Sequence, residues 1–174
     1  MRARATAQRF EDIHWPNWVA EQEATLLFVV RDAEVLLIRK KRGIGAGKIN
    51  GPGGKVDPGE TPEQCAVREC QEELHITPQQ LEYCGRNLFQ FVDGYSIDVH
   101  CFRCDRYDGV PTETREALPL WTAIDDIPYE QMWEDDRIWL PKLIRREPFV
   151  ARYIFDGDKM VDYAIDDVID TQPE

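Results

Sequence analysis

The segment that most constrains the fold runs from Gly54 to Ile76 and reads GKVDPGETPEQCAVRECQEELHI. Thr61 stands at the N-cap of a helix that we predict over residues 61–74, with Pro62 at its first position and Gln64 at the capping-box position. Small and apolar residues recur along this helix: Cys65, Ala66, Cys70 and Leu74. They favour packing of one helix face on a sheet, so the rest of the chain must supply that sheet.

The same helix carries three glutamates on one face. Glu69, Glu72 and Glu73 lie at positions i, i+3 and i+4, which a helix brings side by side. Neighbouring carboxylates repel one another unless a cation lies between them, and oxygen ligands favour Mg²⁺, with Mn²⁺ possible. A solvated acidic face would show the same spacing, so this pattern alone leaves both interpretations open.

The pattern along the chain predicts strands on both sides of this helix. The predicted strands cover 24–30 and 35–39, joined by a turn at 32–33, a hairpin of 86–92 and 95–104, and strands near 117–123, 151–156 and 160–166. A second helix is expected near 137–146. This mixture predicts an α/β (α+β) fold with a domain at 23–174 and an N-terminal arm at 1–22 that packs on it.

Composition narrows the classes of function. With 174 residues and 43% hydrophobic content, the chain suits one domain with a sizeable core. The net charge of −12 argues against a large nucleic-acid surface. No stretch approaches the ~20 apolar residues that span a membrane. We expect a cytoplasmic protein that binds neither membranes nor nucleic acid stably.

Two other motifs suggest chemistry that the surrounding sequence does not support. Cys101 and Cys104 have the spacing of a zinc or redox pair, but no second such pair completes a zinc site. We predict buried thiols in a strand instead. The glycine-rich loop at 43–54 lacks the serine or threonine of a Walker A motif and does not join a strand directly to a helix.

The spacing around the helix resembles the Nudix box. Gly54, five residues, Glu60, seven residues and then Arg68-Glu69 match its pattern GX5EX7REUXEEXGU, and Glu72 and Glu73 complete its charged positions. Two positions depart from the pattern. Cys70 replaces a bulky aliphatic residue, and His75 replaces the glycine that ends the helix, so His75 must adopt a positive φ or end the helix differently.

This resemblance implies a Nudix fold, in which helices sandwich a mixed central β-sheet. It also implies that Glu69, Glu72 and Glu73 bind a divalent metal, while Arg68 orients Glu60. Gly53 and Glu116 match further positions near the metals, although Glu116 could equally be an exposed loop carboxylate. Which carboxylate accepts the proton of the attacking water stays open.

Three further segments, KKRGIGAGKINGPGGKV (40–56), DVHCF (98–102) and MWEDDRIWLP (132–141), resemble the oxidised purine nucleoside triphosphatases related to MutT. The resemblance implies that Trp133, Asp135, Asp136 and Asn50 recognise the base. It implies cavity positions for Thr25 and Phe89, and phosphate positions for Lys40 and Lys55. The alternatives are core burial for Trp133 and a helix N-cap for the aspartate pair.

The resemblance therefore predicts Mg²⁺-dependent hydrolysis of 8-oxo-dGTP and 2-hydroxy-dATP to the monophosphate and pyrophosphate by a monomer. Two adjacent buried carboxylates would share a proton, which supplies a donor and an acceptor for a modified purine. Ile44 and Ile97 stand where the family has a Phe and a Met. They keep another Nudix substrate open, such as a methylated purine triphosphate, ADP-ribose or capped RNA, and His75 keeps open a weakly catalytic nucleotide sensor.

Overall fold

Strands from both halves of the chain form one mixed sheet in the computed structural model, which describes residues 9–167. The helices are α1 (Pro62–Leu74) and α2 (Asp136–Ile144). The strands are β1 (Gln22–Arg31), β2 (Glu34–Lys40), β3 (Ile49–Asn50), β4 (Gly53–Lys55), β5 (Ile76–Gln79), β6 (Glu82–Phe91), β7 (Ser96–Cys104), β8 (Arg106–Gly109), β9 (Ala117–Ala123), β10 (Phe149–Asp156) and β11 (Lys159–Asp167).

Strand β1 organises the sheet because it pairs with three neighbours. The main path runs β11-β10-β6-β7-β1-β2-β3, with β9 added beside β2, and β5 and β8 form a separate small sheet. The β1·β7 and β6·β10 pairs are parallel. The first half of β1 pairs with β4, at Thr25↔Gly54, and its end pairs with β2, at Val30↔Val35. This divided pairing brings the glycine-rich segment directly onto β1.

A hydrophobic core lies on each side of the sheet. One core contains Phe28 of β1 with Trp139 and Leu140 of α2. The other contains Leu27 of β1 with Leu74 of α1, together with Ala66 and Cys70. Because consecutive residues of a strand point to opposite faces, Leu27 and Phe28 belong to different cores. The sheet thus lies between the two helices, and the predicted mixed α+β architecture is confirmed.

Helix α1 begins and ends as its sequence requires. The Gln64 backbone N–H donates to Thr61 Oγ1 at 3.1 Å, and the Thr61 N–H donates to Gln64 Oε1 at 2.9 Å, so the predicted capping box is confirmed. At the other end His75 adopts φ 58° and ψ 33°, the left-handed conformation that glycine would favour. Its N–H donates to the carbonyl of Gln71 at 3.1 Å. Histidine therefore ends the helix in the backbone geometry of the missing glycine.

The other predicted elements are present with small shifts of their ends. The hairpin forms from β6 and β7, and the second helix ends two residues earlier than expected. The short strands β3, β4, β5 and β8 were not predicted. All five cysteines are buried and free, which confirms the reading of Cys101 and Cys104 as buried thiols.

The described part of the N-terminal arm contacts the sheet. Trp18 Nε1 donates to Gln90 Oε1 at 3.0 Å, and the Phe10 backbone N–H donates to Asp162 Oδ2 at 3.2 Å. Residues 1–8 of the predicted arm and the end of the predicted domain at 168–174 lie outside the described residues. Over the stretch that the structure describes, neither helix has the length and apolarity needed to cross a membrane.

Candidate active site

Arg68 links the loop before α1 to the carboxylates on the helix. Its Nε donates to Glu60 Oε2 at 2.7 Å and its Nη2 to Glu60 Oε1 at 2.9 Å, a two-point pairing. Nη1 donates to Glu69 Oε1 at 2.9 Å and to Glu72 Oε2 at 3.3 Å. The guanidinium lowers the pKa of Glu60 to about 2, chiefly through its hydrogen bonds. Arg68 therefore fixes the Glu69 side chain from the side of the loop.

Three carboxylates from two parts of the chain meet beside this arginine. Oxygen atoms of Glu69, Glu73 and Glu116 all lie within 4.8 Å of one another. Glu116 reaches them from the loop before β9. A hydrogen bond of 2.9 Å from the Lys41 N–H to the Glu116 carbonyl holds this loop in position. Glu72 stands outside this group, with half of its side chain exposed. The structure thus brings Glu116 together with two of the three helix glutamates.

The electrostatics of the cluster suit a cation. Burial, reinforced by the nearby Glu69, raises the pKa of Glu73 to about 9, although the Gly53 N–H opposes the shift by donating to Glu73 Oε1 at 3.2 Å. Burial also raises the pKa of Glu69. The neighbouring cationic side chains therefore do not compensate the negative charge of these carboxylates. An oxygen-only donor set of this kind fits a hard divalent cation.

Glycines make room for the carboxylates. A Cβ at Gly54 would overlap the Glu69 carboxyl group, and a Cβ at Gly53 would overlap the carbonyl of Thr25. The close pairing of β1 with β4 and the approach of Glu69 to β4 both depend on these two residues. Gly53 also contributes its N–H to the site, where it donates to Glu73 Oε1.

One cavity of about 380 Å³ connects the carboxylate cluster with the predicted base site. Its lining includes Glu73, Lys40 and Lys55 together with Asp135 and Asp136. Thr25, Asn50, Phe89 and Trp133 also line it, as do Ile44 and Ile97. All the predicted substrate residues therefore surround a single space.

The aspartate pair is deeply buried at the start of α2. Asp135 is 3% exposed and Asp136 is 2% exposed. Asp135 Oδ2 accepts a hydrogen bond from Trp139 Nε1 at 2.7 Å, and Asp136 Oδ2 accepts one from the Trp133 backbone N–H at 3.1 Å. Burial raises the pKa of Asp135 to about 6 and that of Asp136 well above its ordinary value. Burial thus favours protonation of the pair, and two carboxyl groups that share one proton offer both a donor and an acceptor.

Aromatic rings form much of the cavity wall. Phe89 stacks on Tyr153 with ring centroids 4.8 Å apart, and Trp133 packs edge-on against Phe155 at 6.0 Å. A Cβ at Gly45, whose φ is +81°, would lie 3.0 Å from the indole nitrogen of Trp133, so the glycine loop runs close over this ring. Ile44 of that loop is 58% exposed.

The four cations at 39–42 have different surroundings. Lys40 lines the cavity. Arg39 donates to the Gly47 carbonyl at 3.0 Å and to Gln131, whereas Lys41 pairs with Glu113 at 2.5 Å.

Two of the polar residues predicted to bind substrate, Thr25 and Asn50, already have partners within the protein. The Thr25 hydroxyl lies 3.3 Å from Cys65 Sγ, and Asn50 Oδ1 accepts a hydrogen bond from the Gly51 N–H at 2.8 Å.

Three contributors to the site were not predicted. Trp139 donates to Asp135, Thr114 Oγ1 donates to the Glu73 carbonyl at 2.8 Å, and Lys48 Nζ lies 5.1 Å from the Trp133 ring centroid. The available signal for the first was the spacing of four residues between Asp135 and Trp139, where the helix predicted near 137–146 begins. The contacts of Thr114 and Lys48 depend on how loops pack, and local sequence gives no signal for them.

A second group of potential metal ligands lies where β1 pairs with β7. Glu23, Asp98 and His100 have ligand atoms within 4.8 Å of one another. His100 Nε2 lies 3.1 Å from Glu23, its Nδ1 lies 2.7 Å from the Tyr83 hydroxyl, and Asp98 is paired with Arg86. Protein groups thus partner this cluster, and it is separate from the cavity lining.

Comparison with known proteins agrees with this geometry. Residues 20–143 match the family described as NUDIX domain. The chain is 46% identical to the oxidized purine nucleoside triphosphate hydrolase of Danio rerio over 148 residues, which cover 84% of this chain and 95% of the relative. The Mus musculus protein of the same name is 41% identical over 83% of this chain and 94% of its own length. The MutT protein of Bacillus halodurans superposes with a TM-score of 0.74 at 25% identity, covering 83% of this chain and 97% of its own. The chain therefore belongs to the NUDIX domain family, as its sequence pattern predicted.

Proposed function

We propose that this protein hydrolyses oxidised purine (deoxy)nucleoside triphosphates, such as 8-oxo-dGTP and 2-hydroxy-dATP, to the monophosphate and pyrophosphate with Mg²⁺. The observation that carries the proposal is the single cavity lined both by Glu73 of the carboxylate cluster and by the buried pair Asp135 and Asp136. A triphosphate that reached the carboxylates would place its base against that pair. The names of the relatives from Danio rerio and Mus musculus support the same substrate class.

At the carboxylate end, Glu69, Glu72, Glu73 and Glu116 would hold the divalent cation, with the neighbouring Gly53 as a further contact. When bound, Mg²⁺ would neutralise phosphate charge and activate water. Arg68 keeps Glu69 in place while paired with Glu60. Lys40 and Lys55, which line the cavity, neutralise phosphate oxygens. A buried carboxylate with a raised pKa, such as Glu73, is suited to accept a proton from water.

At the base end, the proton shared by Asp135 and Asp136 provides recognition. One carboxyl group donates a hydrogen bond and the other accepts one, which fits the edge of an oxidised purine; moving the proton fits 2-hydroxyadenine. Trp133 and Phe89 supply ring faces for stacking, and Asn50 supplies an amide with both a donor and an acceptor.

The test is pyrophosphate release over a panel of nucleotides with and without Mg²⁺. We expect the highest kcat/KM for 8-oxo-dGTP or 2-hydroxy-dATP, loss of turnover with a chelator, and recovery with Mg²⁺ or Mn²⁺. The panel includes dGTP, methylated purine triphosphates, ADP-ribose and capped RNA. A best substrate without an oxidised purine would refute the substrate assignment, and aliphatic Ile44 and Ile97 in the lining are where a different preference would originate.

Matched variants of α1 separate catalysis from folding. Glu73→Gln should lower kcat by roughly 10²–10⁴-fold while nucleotide binding persists. Glu63→Gln removes one carboxylate from the exposed first turn of the same helix and should leave kcat within twofold. Equal activity of both variants would remove Glu73 from the catalytic machinery, and binding without turnover by the wild-type protein would favour a nucleotide sensor.

The setting of this activity is part of the proposal. A net charge of −12 is unfavourable for stable nucleic-acid binding, so free nucleotides are the expected substrates. We also propose that the protein acts as a monomer in the cytoplasm. Light scattering of the purified protein would test the monomeric state, and cell fractionation would test the cytoplasmic location.

A further inference from the structure

Lys48 lies behind the predicted stacking tryptophan. Its Nζ is 5.1 Å from the centroid of the Trp133 ring and 3.7 Å from Asp158 Oδ2. Trp133 lines the cavity, whereas Lys48 is outside the lining. The ammonium therefore stands over one face of an indole that also lines the cavity.

Lys48 also joins three segments that surround this ring. It belongs to the glycine loop, in which Gly45 packs against the indole nitrogen. Its partner Asp158 lies in the turn between β10 and β11, and β10 supplies Phe155, which contacts Trp133 edge-on. One cation thus links the glycine loop to the β10–β11 turn, and both the loop and β10 contact Trp133.

We propose that Lys48 is a positioning residue for the purine site, which holds Trp133 and the glycine loop in the geometry that stacks the base. The proposal rests on the proposed function and adds a determinant of affinity to it. A cation over an indole face is attracted to the electron-rich ring, and the contact restrains the ring plane. Lys48 acts on the base end of the cavity, through the Trp133 ring and through the attraction of its charge to Asp136, and it has no contact with the carboxylate cluster. Its contribution therefore falls on substrate binding and leaves the chemical step unchanged.

The proposal is tested with Lys48→Met, Lys48→Arg and Asp158→Asn. Lys48→Met keeps an aliphatic chain and removes the charge, so KM for 8-oxo-dGTP should rise roughly three- to tenfold with kcat within twofold. Lys48→Arg, which retains a cation over the ring, should restore most of the affinity. Asp158→Asn removes the ion pair but leaves the Lys48 ammonium over the ring, so KM should rise less than in Lys48→Met.

Lys159→Met is the matched control. Lys159 is the exposed first residue of β11, directly after the β10–β11 turn, so its loss removes one positive charge from the same region and leaves the Lys48–Trp133 contact intact. Its KM should equal that of the wild type. Labelling with 5-fluorotryptophan provides a readout besides activity: the Trp133 signal, assigned with Trp133→Phe, should move in Lys48→Met and stay in place in Lys159→Met.

The outcomes separate this proposal from the proposed function. Wild-type turnover of an oxidised purine with an unchanged KM in Lys48→Met would overturn the role of Lys48 alone. Absence of such turnover would overturn the proposed function, and the role of Lys48 would then be judged by dissociation constants for the panel nucleotide that the wild type binds most tightly. Equal constants for wild type and Lys48→Met would overturn it there also.

Discussion

Trp139 Nε1 donates a hydrogen bond to Asp135 Oδ2 at 2.7 Å, one turn along α2 and inside the core. The indole makes two kinds of contact. Its ring packs against Phe28 with the ring centroids 5.7 Å apart, and its N–H stabilises the ionised form of Asp135. A core residue thus sets which of the paired aspartates carries the negative charge. The base site and the hydrophobic core are physically continuous at this point.

Trp139→Phe should therefore impair recognition more than folding. Loss of the donor leaves a buried carboxylate with one partner fewer, so we expect kcat/KM for 8-oxo-dGTP to fall roughly tenfold and the free energy of unfolding to fall by about 1–3 kcal/mol. Trp121→Phe, at a partly exposed site on β9, is the matched control and should change neither quantity appreciably. Equal kcat/KM in the two variants would contradict the assigned role of the indole N–H.

Asp136→Asn should change the pH dependence of stability. Burial raises the pKa of the Asp135–Asp136 pair above the ordinary value of 3.8, so the folded protein binds a proton more tightly than the unfolded chain does. The bound proton therefore stabilises the folded wild type fully below pH 3.8, and this stabilisation is lost as pH rises towards the folded pKa. Asparagine does not titrate, so Asp136→Asn should gain stability relative to wild type between about pH 4 and pH 7.

Urea unfolding at both pH values measures this gain. Glu130→Gln, at an exposed position before α2, controls for the loss of one negative charge. A difference between Asp136→Asn and wild type that stays constant with pH would show that the pair does not retain its proton. The same variant should also lower kcat/KM for 8-oxo-dGTP by about tenfold, because a buried charged hydrogen bond is lost.

Helix α1 and its glutamates were predictable because their signals are local. The capping residues Thr61 and Gln64 and the i, i+3, i+4 spacing of the glutamates each act within a few residues of the chain. Short continuous runs of apolar residues likewise predicted β1 and β2 as buried strands, because a strand that is covered on both faces is apolar at consecutive positions.

The unpredicted parts depend on contacts between distant segments. Strand β4 has three residues and exists because Gly53 and Gly54 can approach β1, which no pattern within β4 reveals. Glu116 reaches the cluster because a backbone hydrogen bond from Lys41 to the Glu116 carbonyl fixes its loop. The resemblance to the Nudix family identified Glu116 as a candidate site residue, whereas no motif or resemblance indicated a role for Lys48 or Thr114.

His75→Gly should stabilise the protein. His75 has a φ of 58°, a conformation that costs a side-chain-bearing residue energy and costs glycine none, so we expect about 0.5–1 kcal/mol more unfolding free energy. Gln80→Gly, at φ 54° outside α1, is the matched control for the general effect of glycine at a positive φ. Thermal unfolding of both variants measures the effect. A destabilised His75→Gly would show that the imidazole makes a contact that outweighs the backbone strain.

Arg68→Lys should lower kcat and leave KM nearly unchanged. Arg68 holds Glu60 at two points and Glu69 at a third, and lysine, with a single ammonium, cannot reproduce this fork. We expect kcat to fall roughly 10- to 100-fold, as for other residues that orient metal ligands. Arg137→Lys, on the exposed face of α2, is the matched control and should retain wild-type kcat.

The double variant Glu60→Gln with Arg68→Lys tests whether the two residues act as a unit. Because Glu60 acts by holding Arg68, and Arg68 by holding Glu69, removing Glu60 after Arg68 should cost little more than the first change. Kinetic effects of such residues are non-additive, so the loss in the double variant should stay close to that of Arg68→Lys alone. Losses that multiply would instead assign Glu60 a direct contact of its own with the cation or the attacking water.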